Sequence, residues 1–131
     1  MNLLLDTHVL IWWLAKSPRL GKQTVKLLLT GTARPVVSAV SIWEIAIKSS
    51  IGRLDMPDPM ESWTPRLTKE WGVTALPISF EHAVAVKNLP PHHADPFDRM
   101  LIAQSLCENL ALVTVDPAFA SYGVRMVDAG I

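Results

Sequence analysis

The chain has 131 residues, half of them hydrophobic and five of them tryptophan, and its twelve basic and twelve acidic side chains cancel to a net charge of zero. The length fits a single domain with its own core, residues 1–131, and the composition excludes a disordered tail. A zero net charge excludes broad electrostatic capture of a polyanion, so any phosphate-binding charge is local or comes from a bound metal.

Residues 1–15 are very apolar, but Asp6 and His8 interrupt the run and Lys16 ends it short of a membrane span. The run also lacks the basic start and small-residue cleavage site of a signal peptide. We expect a soluble protein. Residues 2–5 read as a strand, 8–15 as a helix, and 20–30 as a second helix ended by Gly31. Residues 35–38 form a short buried strand candidate, and 41–51 a helix with Ile42, Ile45 and Ala46 at core spacing. The two prolines and two aspartates of 54–59 mark a loop. A helix over 61–71, a strand over 73–76 and a helix over 80–89 come next. A stiff loop over 90–94 leads to the clearest helix, 96–110, which is apolar on much of its circumference. A strand over 111–115, a short turn and a last strand over 124–127 complete the chain. Strands alternate with helices and no hairpin signal occurs. The pattern predicts a three-layer α/β/α sandwich around a central, mainly parallel sheet. The lone cysteine, Cys107, excludes an internal disulfide, points to a reducing, cytoplasmic setting, and reads as a small buried hydrophobe.

Two carboxylates stand at the C-terminal ends of apolar strands, Asp6 after Leu3-Leu4-Leu5 and Asp116 after Val113-Thr114-Val115. In open parallel sheets, ligands bind outside those ends. The structural alternative for both is a helix cap. Ser41-Ile42-Trp43-Glu44 reads as a capping box with Ser41 at the N-cap, and Asp95-Pro96-Phe97-Asp98 has the same shape. Glu44 and Lys48 also suit a surface pair four residues apart. Yet a carboxylate in the first turn of a helix lies near the sheet-end crevice, so Asp6, Glu44, Asp98 and Asp116 are candidates to converge. Crowded like charges are costly at neutral pH without a cation. Hard oxygen ligands suit Mg²⁺ or Mn²⁺, which acidifies bound water and stabilises charge on a phosphate.

Other chemistries fit less well. His92-His93-Ala94-Asp95 has the look of a metal tripod, but adjacent histidines on such a loop are more often solvated. His8 and His82 fall in helical patterns, and no spacing suits zinc. No glycine-rich phosphate loop and no Gly-x-Ser-x-Gly setting occurs.

The blocks Leu4-Leu5-Asp6-Thr7-His8, Ser41-Ile42-Trp43-Glu44-Ile45-Ala46-Ile47-Lys48, His93-Ala94-Asp95-Pro96-Phe97-Asp98-Arg99 and Leu112-Val113-Thr114-Val115-Asp116 stand in order along the chain. In these blocks, over nearly its full length, the sequence resembles the PIN-domain family, and within it the VapC toxins of bacterial toxin–antitoxin pairs. The resemblance implies a Mg²⁺- or Mn²⁺-dependent endoribonuclease. It maps Asp6, Glu44, Asp98 and Asp116 onto the family's acidic positions and Asp95 onto an extra acid of the Asp-Pro-Phe-Asp subgroup. It sets Thr7 and Thr114 where hydroxyls lie near the metal. It further implies a homodimer silenced by a cognate antitoxin. Lys48, Arg53 and Arg99 are candidates for the RNA path. Two competing readings are an acid-nucleophile phosphatase using Asp6 and a non-catalytic binding module. The common Asp-x-Asp phosphatase motif would need an aspartate where His8 stands.

Overall fold

The computed structural model describes residues 2–131. Five strands form one all-parallel sheet: β1 (Asn2–Leu5), β2 (Arg34–Ser38), β3 (Thr74–Leu76), β4 (Ala111–Thr114) and β5 (Met126–Asp128), in the order β3-β2-β1-β4-β5. Six helices connect them: α1 (Thr7–Leu14), α2 (Lys22–Leu29), α3 (Ala39–Ser50), α4 (Met60–Lys69), α5 (Phe80–Lys87) and α6 (Pro96–Glu108). A 3-10 turn, Pro117–Tyr122, joins β4 to β5.

The central strand explains its own composition. Leu3, Leu4 and Leu5 are all fully buried, because helices cover both faces of the sheet. Alternation along the strand sends Leu3 and Leu5 to one core and Leu4 to the other. The first core takes Val9 and Leu10 of α1, Leu28 of α2, and Trp63 and Leu67 of α4. The second takes Leu101 and Ile102 of α6 with Phe119 and Tyr122 of the 3-10 turn. Burying five consecutive residues of α6, Leu101 to Ser105, needs cover on nearly every side, as its apolar residues over much of the circumference predict.

The connectivity positions the site. The chain builds outward from β1 to β2 to β3, then returns through α5 and α6 to the other side of β1 to lay down β4 and β5. The direction of winding therefore reverses between β1 and β4. In open α/β sheets that reversal opens a crevice at the carboxyl ends of the two strands.

Three expectations are corrected. Helix α3 begins at Ala39, not Ser41: Ser38 closes β2 and caps the helix at once, its Oγ accepting the Val40 N–H at 3.0 Å. Ser41 is then fully buried inside the helix, and the expected Ser41–Glu44 capping box does not form. The last strand starts at Met126, because Gly123 turns the chain through a left-handed conformation (φ 74°) and the next two residues carry it back to the sheet edge. Cys107 is half-buried, since it lies past the covered stretch of α6. Burial nevertheless pushes its thiol above the ordinary range, with Glu81 and Glu108 adding to the shift. No helix among the described residues is long and apolar enough to cross a membrane.

Candidate active site

Asp6 follows β1 directly, and its amide bonds the Val113 carbonyl of β4 at 3.0 Å. The residue is 3% exposed. It holds the N-cap position of α1, but its side chain caps nothing. Instead its Oδ2 accepts the Thr114 hydroxyl at 2.8 Å, across the β1–β4 reversal. Its Oδ1 is buried with no partner among the described residues. Burial pushes this carboxyl above the ordinary range; the Thr114 bond, the nearby His8 and the Thr7 backbone N–H oppose that, and the Glu44 charge adds to it. A buried carboxylate oxygen with no donor is costly, so a simple capping role does not account for Asp6.

Asp116 does cap: its Oδ1 accepts the Ala118 N–H at 2.9 Å. Its Oδ2 still faces the crevice, so the capping and the site readings both hold for this residue. Thr114 links the two acids, since its Oγ1 also accepts the Asp116 N–H at 3.0 Å.

Glu44 comes from the second turn of α3 and is 3% exposed. Its Oε2 pairs with the Lys48 ammonium and its Oε1 has no partner among the described residues. The Glu44 bond holds the Lys48 amine above its ordinary range, and the charges of Asp95 and Asp98 add to the effect. Beneath Glu44, the Thr7 hydroxyl donates to Ser41 Oγ at 2.9 Å and ties α1 to α3.

Asp95 and Asp98 open α6. Asp95 is the cap, its Oδ1 accepting the Phe97 and Asp98 N–H groups at 2.8 and 3.2 Å. That leaves the Asp98 side chain free to face the crevice. Its carboxyl is pushed up to about 8, first by burial and then by the charges of Asp6, Asp95, Glu44 and Asp116. The charges of the other four acids singled out in the sequence thus all act on Asp98.

The structure also brings in a residue that stood undecided. His93 Nε2 lies 3.1 Å from Asp98 Oδ2 and 3.6 Å from Asp116 Oδ2. Together these three are the one metal-compatible cluster among the described residues, with ligand atoms within 4.8 Å of one another. His92 is not part of it; that ring is exposed and packs edge-on against Tyr122. The signal for His93 was its position two residues before a capping aspartate: the Asp95 N–H reaches back to His93 Nδ1 at 3.3 Å. His82 is a structural histidine that completes the capping box of α5 and pairs with Glu108.

The basic candidates separate. Arg99 turns inward, its guanidinium donating to the carbonyls of Val86, Leu89, Pro90 and His93. It fastens the loop that carries His93. Lys48 and Arg53 instead line a cleft of about 360 Å³ that also touches Thr7, His8, Trp12 and Glu44. Of the five acids, Glu44 lines that cleft.

A parallel α/β domain with an acidic pocket at the point where its sheet reverses is thus in place. The chain belongs to the PIN domain family, whose model matches residues 3–124. It is 29% identical over 122 residues to ribonuclease VapC22 of Mycobacterium tuberculosis, covering 92% of each chain. Its fold is similar to that of VapBC2 from Rickettsia felis, solved bound to a DNA fragment from its promoter (TM-score 0.73, 14% identity, 97% of this chain and 98% of that one). It is also similar to a toxin–antitoxin complex from Klebsiella pneumoniae (TM-score 0.65, 18% identity, 96% of each chain).

Proposed function

We propose that this PIN domain is a Mg²⁺- or Mn²⁺-dependent endoribonuclease and the toxin of a toxin–antitoxin pair. One observation supports the reading: the charges of Asp6, Asp95, Glu44 and Asp116 all act on Asp98, and Asp6 Oδ1 and Glu44 Oε1 are buried with no partner among the described residues. Donor-poor, crowded carboxylate oxygens fit a hard divalent cation. Asp6, Asp98 and Asp116 would hold it, with Glu44 and Asp95 contributing further negative charge. When bound, the ion supplies an acidified water and positive charge against the phosphodiester.

The chain's own residues do the rest. The Thr114 hydroxyl fixes the orientation of Asp6, and the Thr7–Ser41 bond sets α1 against the helix that carries Glu44. Lys48 balances Glu44 and, with Arg53, lines the cleft along which the RNA backbone would run.

A protein antitoxin as partner is supported by the toxin–antitoxin complexes among the structural relatives. A homodimer is supported by an uncovered apolar face, where Phe80 is 93% exposed beside Val84 and Ile78. A cytoplasmic setting is supported by the single, unpaired Cys107.

Incubation with total RNA in Mg²⁺, and again in EDTA, tests the proposal. Internal cleavage that requires the metal is expected. Intact RNA alongside metal-dependent phosphate release from small phosphomonoesters would favour a phosphatase. Binding of RNA without either reaction would leave a binding module.

A further inference from the structure

His93 sits within bonding distance of two of the proposed metal-holding carboxylates, so it could be a ligand itself or the group that positions them. Three contacts decide between these. The Asp95 N–H donates to Nδ1 at 3.3 Å, so Nδ1 is the accepting nitrogen and Nε2 the donating edge of the ring. That Nε2–H is the edge facing Asp98 Oδ2 at 3.1 Å and Asp116 Oδ2 at 3.6 Å. The ring is held on its far side by Phe119, with centroids 5.9 Å apart, and its carbonyl is tied down by Arg99. An imidazole whose inner nitrogen bears a proton offers no lone pair to a cation.

We propose that His93 is a positioning residue, not a metal ligand. It donates one hydrogen bond into the gap between Asp98 and Asp116 and so couples the start of α6 to the end of β4. Asp98 opens α6 and Asp116 follows β4, eighteen positions apart in the chain. A donor held between them by Asp95, Phe119 and Arg99 fixes their separation. Outer partners of this kind set ligand orientation, and losing one typically weakens metal affinity by about 10- to 100-fold. The proposal rests on the metal-centre reading above.

Pulsed electron paramagnetic resonance of the wild-type protein loaded with Mn²⁺ tests it without any substrate. A positioning role predicts no directly coordinated nitrogen in the signal. A coordinated ¹⁴N would overturn it. Calorimetric titration of Mn²⁺ into His93→Gln and His93→Ala gives the second measurement. Gln places an amide N–H close to where Nε2–H lies, so it is expected to keep wild-type affinity within a few fold, while Ala loses about tenfold or more. Equal losses in both variants, or no loss in Ala, would overturn the role. Failure of the wild-type protein to bind Mn²⁺ at all would instead take down the metal centre itself, which separates the two readings. If His93→Ala does not fold, the wild-type resonance and the Gln titration still decide.

Discussion

Thr114 Oγ1 donates to Asp6 Oδ2 at 2.8 Å and accepts the Asp116 N–H at 3.0 Å, so one hydroxyl at the end of β4 sets two acids of the pocket. Replacing it with the isosteric valine leaves both partners without it. We expect Thr114→Val to lose about 1–3 kcal/mol of stability for the buried unpaired groups and to weaken Mn²⁺ binding by roughly tenfold. Thr114→Ser keeps the hydroxyl and should keep both properties. Thermal melts and calorimetry check this, and equal behaviour of the two variants would remove the hydroxyl from the account.

Asp6 is buried, repelled by Glu44, and makes no capping bond. Asp6→Asn should therefore raise the melting temperature in EDTA, since it removes charge and costs no cap. Metal stabilises the folded state by mass action, about 2.7 kcal/mol at a hundredfold excess over the dissociation constant. Millimolar Mg²⁺ or Mn²⁺ should raise the melting temperature of the wild type and raise that of Asp6→Asn much less. Equal metal shifts in the two proteins would show that Asp6 holds no metal.

Glu44 and Asp98 make no cap, so their loss has little structural cost to hide behind. Glu44→Gln and Asp98→Asn should each abolish RNA cleavage while leaving the protein folded. Asp95 differs because it is the cap of α6. Asp95→Ala should lose about 1 kcal/mol, whereas Asp95→Asn still caps and isolates the loss of charge. A roughly tenfold fall in cleavage by Asp95→Asn at unchanged stability would assign the charge to the site. Chemical denaturation beside a gel assay separates the two effects.

The Asp98 carboxyl stands at about 8 in the folded, metal-free protein, against an ordinary value of 3.8. Between those values the folded state holds a proton that the unfolded chain has released. Stability in EDTA should thus be greatest near pH 4 as far as this group is concerned, and fall as pH rises towards 8. Asp98→Asn should flatten that slope. Metal binding expels the same proton, so Mn²⁺ affinity should climb over the same interval. Melts and titrations from pH 5 to 8.5 measure both, and a stability that rises with pH in wild type and Asp98→Asn alike would contradict the shift.

Much of this was legible in the chain because it is local. Leu3-Leu4-Leu5 and Leu112-Val113 announce strands covered on both faces, and Asp6 and Asp116 announce where those strands end. Asp95-Pro96 announces a helix start, and it forms there. Each of these signals lies within a few residues of its cause, in backbone periodicity or capping chemistry. The tertiary structure decided what those residues meet. Asp6 and Thr114 stand 108 positions apart, and only the return of the chain to the far side of β1 joins them. Ser38 took the cap that Ser41 was expected to hold, because β2 runs straight into α3 with no loop between. In the sequence, Arg99 is a candidate for the RNA path and His93 belongs to a loop expected to be solvated. The fold turned the first onto four loop carbonyls and the second onto two carboxylates. Capping and periodicity are properties of neighbours along the chain, whereas the charge that each acid feels depends on segments brought together only when the sheet closes around its core.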